Sequence, residues 1–369
     1  MSSRLFQAIF RNDTHAFTSL VQENQNILKQ KTAGTTALHL ASRFGYVEMV
    51  REIVKYRPDM VAAFNGELET PLHEACSQGN LQVLIVLLEA DPLAACNLNY
   101  KSQSALFKAC SNGHLDLVKL LLLKTPRLLD LEDNGIDQTS LHVASSRGHT
   151  DVVRELLNVR PDFATRTDKK GFSPLHYSCS RDHLEITKML LTLDQDLALQ
   201  YDDNGYTPLH LAAMNGKAEI LKEFLSMAPT SFQVLTREGE TVFHLTVRFN
   251  QYDAFMCLVQ VFNNTELINR PDQHGNTILH LAVSGKHHQL AEYILNETTV
   301  DINLQNNRGY TVYEILNRAG SNLKIHNPKD MLEKAEGETS TEHSFLTPED
   351  KVKELNDEPL TLENNGDPG

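Results

Sequence analysis

Apolar and polar positions along this chain repeat with a period close to 34 residues. The recurring unit is a short segment opened by Ser or Thr, with an apolar residue in third place and, in all but one copy, His in fourth: TALH, TPLH, SALF, TSLH, SPLH, TPLH, TVFH and TILH. The fourth residues are His39, His73, Phe107, His142, His176, His210, His244 and His280, spaced by 34, 34, 35, 34, 34, 34 and 36 residues. Self-similarity at such a period marks a repeat protein, so length does not translate into a domain count.

Each recurring position predicts a piece of helix. Thr36, Thr70, Ser104, Thr139, Ser173, Thr207, Thr241, Thr277 and Thr311 stand three residues before the His or its equivalent. A hydroxyl there accepts a backbone N–H that the first helical turn leaves free. Pro71, Pro174 and Pro208 follow directly, at the one helical position where a missing N–H costs nothing. Six residues after the His, Gly45, Gly79, Gly113, Gly148 and Gly216 stop the helix in a left-handed conformation. Asn250 substitutes acceptably, whereas Asp182 and Lys286 are less comfortable and mark repeats five and eight as irregular. A second helix carries apolar pairs such as Leu87-Leu88 and Phe224-Leu225. It is closed by Pro58, Pro92, Pro126, Pro161 or Pro229, which should open an extended connection.

One such module cannot bury its apolar face alone, so neighbours must stack. The expected architecture is an all-α solenoid of about ten helix-turn-helix modules with hairpin-like loops, counting caps. Residues 1–33 read as an N-terminal capping module with polar exposed positions, 34–308 as eight repeats, and 309–334 as a degenerate C-terminal cap. Residues 335–369 are acidic, lack the period and read as a disordered tail.

These motifs resemble the ankyrin signature over roughly residues 1–330. The segments RPDMVAAFN, ADPLAACNLN, TPRLLDLED and VRPDFATRTD replace the Gly-Ala-Asp-Val-Asn loop common in animal repeats. With LETPLHEACSQGNL, SALFKACSNGHLDLVK and GETVFHLTV, they are similar to the plant ankyrin family that ends in a membrane-embedded PGG domain and includes the accelerated-cell-death and salt-tolerance proteins. The resemblance implies a regulatory role in plant defence or stress signalling, often at the plasma membrane. Members of that family continue into apolar membrane segments, and none follows the repeats here. The expectation is a cytoplasmic monomer, or the cytosolic ankyrin portion of a larger membrane protein.

Charge narrows the partner class. The chain carries a net charge of −14, against a basic stripe for nucleic-acid binders. Ten Asp/Glu and two Lys in 335–369 supply −8 of it. That tail could strap back onto Lys108, Arg147 and Arg181. Cys76, Cys110 and Cys179 share one repeat position, as small buried side chains would.

No phosphate loop, GxSxG, HExxH or CxxC occurs, so neither catalysis nor a cofactor is expected. Successive repeat His residues should lie about 10 Å apart, too far to share a zinc ion with ligands at ~2.1 Å. Each should instead bond its N-cap hydroxyl and neighbouring backbone, tying module to module. Binding is then the remaining business of the fold, with a protein partner on the concave face of the first helices. Tyr, Arg and Phe are the types enriched at binding hot spots, and among the inner-face residues Phe44, Tyr177, Arg181, Arg248 and Phe249 are the candidates. The paired acids Asp202-Asp203 read as solvated turn residues.

Overall fold

The computed structural model describes residues 3–318, apart from 33, 133–136 and 264. The expected 335–369 tail and most of the 309–334 cap lie outside the described residues. The chain forms two compact units, Met1–Pro174 and Leu175–Gly369, each taken by itself below. Among the described residues the regular structure is helical throughout, with one isolated bridge between Thr32 and Thr35.

The first seven repeats are each built from three pieces, and the eighth from two. In the N-terminal unit these are Ala37–Phe44, Val47–Tyr56 and Pro58–Ala62 for the first repeat, and Pro71–Gln78, Leu81–Ala90 and Pro92–Cys96 for the second. The C-terminal unit repeats the scheme in Pro208–Met214, Ala218–Met227 and Pro229–Gln233. First helices stack on first helices (Ala37–Phe44 on Pro71–Gln78) and second on second (Val47–Tyr56 on Leu81–Ala90). Leu38, Leu72, Leu106, Leu141, Leu209 and Leu279, the residues before the repeat His or its equivalent, are fully buried.

The prolines do not open an extended connection. Pro58, Pro92, Pro161 and Pro229 each begin a short 3₁₀ helix, because a fixed φ near −65° suits a new helical turn as well as it ends the old one. That turn carries apolar residues back under the repeat: Met60 and Val61, Ala94 and Ala95, Phe163 and Ala164, and Phe232 are all buried. In the C-terminal unit these contacts become aromatic. Phe232 meets Phe262 at 5.1 Å, and Phe243 meets Phe255 at 5.8 Å.

The N-terminal module also departs from the expected polar cap. Helix Ser3–Phe10 buries Leu5, Ala8 and Ile9 but leaves Phe6 41% and Phe10 63% exposed. Residues at i and i+4 share a helix face, so these two rings flank the buried stripe instead of joining it.

Candidate functional site

Two sets of side chains tie repeats together and thereby fix which surface is left. The first is the repeat His. The N-cap backbone N–H donates to Nδ1 of His73, His142, His210, His244 and His280 at 3.1–3.2 Å. The proton therefore sits on Nε2, which donates to a carbonyl further along the chain. The acceptors are Gln103 for His73 (3.0 Å), Phe172 for His142 (3.0 Å), Val234 for His210 (3.1 Å), Asn276 for His244 (3.1 Å) and Tyr310 for His280 (3.0 Å). His39 bonds Thr36 Oγ1 and Glu69 O, both at 2.8 Å, and His176 Nε2 lies 3.2 Å from Tyr206 O. Burial pushes the imidazoles toward the neutral form: His39, His73, His142 and His280 are lowered, and His210 and His244 fall to about 4.

The second set was not visible as a motif. Seven residues after His73, Phe107, His142 and His244, a side chain reaches back to the preceding first helix and donates to one of its C-terminal carbonyls. Asn80 bonds Ser42 O (2.8 Å), His114 bonds Ser77 O (3.4 Å), His149 bonds Ser111 O (3.1 Å) and Gln251 bonds Met214 O (2.9 Å). The residue identities differ, so only their common donor chemistry could have revealed the position.

The hairpin tips carry a third device. Asn65, Asn99, Asp168, Asp202, Asp272 and Asn306 each accept the backbone N–H groups two and four residues on, at 2.7–3.1 Å. Asp202 is accordingly 2% exposed and not a solvated turn residue, while Asp203 is exposed.

The remaining surface of the first helices is mixed. In the N-terminal unit Phe44 is 42% exposed, and its ring stands edge-on to Phe10 at 6.2 Å and tilted against Tyr46 at 5.5 Å. Beside it Arg43 is held by Glu74, with Nε at 2.9 Å from Oε2, and Lys108 pairs with Glu69 at 2.6 Å. Burial alone would raise the Glu69 carboxyl, but Lys108 and Asn99 outweigh it and the net shift is downward.

In the C-terminal unit Tyr177 is half-buried and Arg181 exposed. Phe249 is 43% exposed, and Arg248 pairs with the buried Glu240 at 2.5 Å. Burial lifts the Glu240 carboxyl, reinforced by Asp272 and Glu238 and opposed by Arg248. The positions directly after the repeat His are less available than the pattern suggested: Glu74, Val143, Leu211 and Leu245 are all buried.

Buried thiols add no chemistry. Burial raises Cys76 and Cys110, and pushes Cys179 up to about 12, so these sulfurs stay protonated. Among the described residues no group of three His, Cys, Asp or Glu side chains could hold a metal ion. No described helix is long and apolar enough to cross a membrane.

Helical modules stacked through recurring hydroxyl caps and buried imidazoles define a repeat scaffold for protein interaction. The chain belongs to the ankyrin-repeat family: the profile for ankyrin repeats (3 copies) matches residues 5–102, 93–166, 141–229 and 209–306. It is similar to I-Kappa-B like protein C1 of Microplitis demolitor bracovirus, 30% identical over 78 residues. That match covers 21% of this chain and spans 45% of the viral protein. The crystal structure of the human ASB11 ankyrin repeat domain shares the fold, with a TM-score of 0.52 at 21% identity, covering 61% of this chain and 97% of that one.

Proposed function

We propose that this chain is a non-enzymatic regulator that holds a protein partner against its first helices and hairpin tips, on the concave face. Phe44 makes the contact in the N-terminal unit, and Tyr177, Arg181, Arg248 and Phe249 make it in the C-terminal unit. The observation that carries the reading is selective exposure. On or directly after first helices whose residues are mostly buried, Phe44 and Phe249 leave more than 40% of their surface in water. Large rings left exposed at equivalent positions of separate repeats favour contact with a partner over core packing.

The setting is a cytoplasmic pathway of plant defence or stress response, with the chain acting as a monomer. The support is the resemblance of its inter-repeat segments to the PGG-type plant family. Those segments contain the extra 3₁₀ turns at Pro58–Ala62, Pro92–Cys96 and Pro161–Thr165. A second reading, favoured by the same segments, is the cytosolic ankyrin portion of a larger membrane protein at the inner face of the plasma membrane.

The test is the intact mass of the native protein and its partition between soluble and membrane fractions, followed by partner capture with the Phe249→Ala and Arg181→Ala variants. A 41.5 kDa species in the soluble fraction supports the regulator. A heavier species in the membrane pellet supports the second reading. Capture unchanged in both variants, with unfolding also unchanged, removes this face from the proposal.

A further inference from the structure

One repeat position carries two opposite electrostatic arrangements. In the second repeat Glu69, four residues before His73, is buried. Its Oε1 accepts from Asn99 Nδ2 at 3.3 Å and pairs with Lys108 Nζ at 2.6 Å. In the seventh repeat Glu240, four residues before His244, is buried to 2% exposure. The register there replaces Asn99 by Asp272 and Lys108 by Leu281. A second carboxyl and an aliphatic side chain stand where the earlier joint has an amide donor and an ammonium.

Backbone contacts fix this joint within the C-terminal unit. The Gln273 N–H donates to Glu238 O at 2.9 Å, and a Cβ on Gly239 would stand 3.2 Å from Gln273 N. Asp272 cannot relieve Glu240. Its Oδ1 accepts the N–H groups of His274 and Asn276, both at 2.8 Å, and its Oδ2 accepts the Asn276 amide at 3.2 Å. Glu238 is a further negative neighbour of Glu240. From the preceding repeat the Tyr206 hydroxyl meets the fields of Glu238, Glu240, Arg248 and Asp202. His244, buried and neutral, lies among Asp272, Arg248 and Arg270. The cation that touches Glu240 is Arg248, with a guanidinium nitrogen 2.5 Å from Oε1 and 45% of its side chain in solvent. Burial and two acidic neighbours favour the protonated carboxyl, and a half-exposed guanidinium offsets them only in part. Burial accordingly leaves Glu240 raised, while Lys108 and Asn99 bring Glu69 down.

We propose that Glu240 is a proton switch acting on Arg248. As the pH falls, Glu240 takes one proton from solvent and its charge attraction for the guanidinium is lost. Arg248, the last residue of the first helix Val242–Arg248, is then released from the hairpin tip to the open face. As the pH rises, the carboxylate returns and holds Arg248 against the tip. The switch rests on the regulator reading only in giving Arg248 a partner to meet, and it names the regulation of that contact.

Glutamate side chains labelled with carbon-13 let the carboxyls of the full chain be followed by NMR as the pH is lowered, with Glu240→Gln assigning one resonance. Glu240 should titrate above the main group of glutamates. Arg248→Ala should raise its proton affinity further, by roughly threefold or more. Asp272→Asn and Leu281→Lys, which rebuild the arrangement of the second repeat, should lower it. Asn serves the same tip role at Asn99 and Asn306, and Arg248 is exposed, so these variants keep the fold. Phenylglyoxal labelling at pH 7.5, read by mass spectrometry, should modify Arg248 several-fold faster in Glu240→Gln than in the parent. That ratio should fall toward one as the pH is lowered to 5. A Glu240 resonance that titrates with the other glutamates would overturn the switch. So would a midpoint unmoved in both Asp272→Asn and Leu281→Lys, or equal labelling of Arg248 in parent and Glu240→Gln at pH 7.5. None of these readings needs the partner. Partner capture lost in Arg248→Ala, beside an ordinary Glu240 titration, would overturn the switch and leave the regulator reading standing.

Discussion

At the scale of single residues, the left-handed position after each first helix separates the repeats. Gly45, Gly79, Gly113, Gly148 and Gly216 occupy it with φ between 67° and 77°, while Lys286 holds it at φ 60°. A side chain with Cβ is strained there by about 1–2 kcal/mol, against roughly 0.5–1 kcal/mol of extra chain entropy for Gly. Lys286→Gly should therefore stabilise the C-terminal unit by about 0.5–1 kcal/mol, read from urea unfolding. Asn250→Gly should gain less, because a short polar side chain tolerates the same conformation. The repeat His sets a larger scale. His244→Ala strips partners from the Thr241 N–H and the Asn276 carbonyl and opens a hole in a fully buried site. Unsatisfied groups and cavity together should cost about 3 kcal/mol. A change below 1 kcal/mol would mean that the imidazole is incidental to stacking.

At the scale of the element, what was legible in the sequence follows from how few residue types each position accepts. An N-cap needs a small hydroxyl or amide oxygen, a left-handed stop needs Gly or a near substitute, and the buried imidazole must both accept and donate. Those positions therefore repeat with few substitutions and give helix starts and stops directly. The return contact from the second helix repeats only in chemistry, through Asn80, His114, His149 and Gln251, and is invisible to a letter pattern. The 3₁₀ turns were hidden because Pro ends one helix and begins another with the same φ. Of the candidate site, Phe44 and Phe249 could be placed by register, but the N-terminal rings could not, since residues 3–10 lack the Thr and His that set it.

The return contact predicts its own coupling. A Cβ on Gly113 would stand 2.6 Å from His149 Nδ1, at φ 74°. Gly113→Ala should cost about 2–3 kcal/mol, the sum of left-handed strain and the lost bond to Ser111. In a His149→Ala background only the strain remains. The double-mutant cycle should then return a coupling of about 1 kcal/mol, and additive values would place the two side chains out of contact.

At the scale of the whole molecule, the buried imidazoles sum to a pH dependence that no single repeat makes obvious. His210 and His244 are held to about 4 by burial, while an imidazole in the unfolded chain titrates near 6.5. The unfolded state therefore binds protons that the folded state refuses, and stability must fall as pH drops through the window from about 6.5 to about 4. Above that window both states are neutral and the contribution is constant. At pH 5 each of these two residues should remove about 2 kcal/mol relative to pH 7.5. His39, His73, His142 and His280, shifted in the same direction, spread the loss over both units. Most carboxylates enter the balance below about pH 4.5, so urea unfolding at pH 7.5, 6.5, 5.5 and 5 reads chiefly the histidines, with the raised Glu240 carboxyl working in the opposite direction. His244→Phe, which copies the apolar ring that Phe107 places at the same repeat position, removes one titrating group. It should flatten the pH slope even though it lowers stability at pH 7.5. A parent slope of zero between pH 7.5 and 5, or a slope unaltered in His244→Phe, would mean that the imidazoles accept protons in place, and that burial does not hold them neutral.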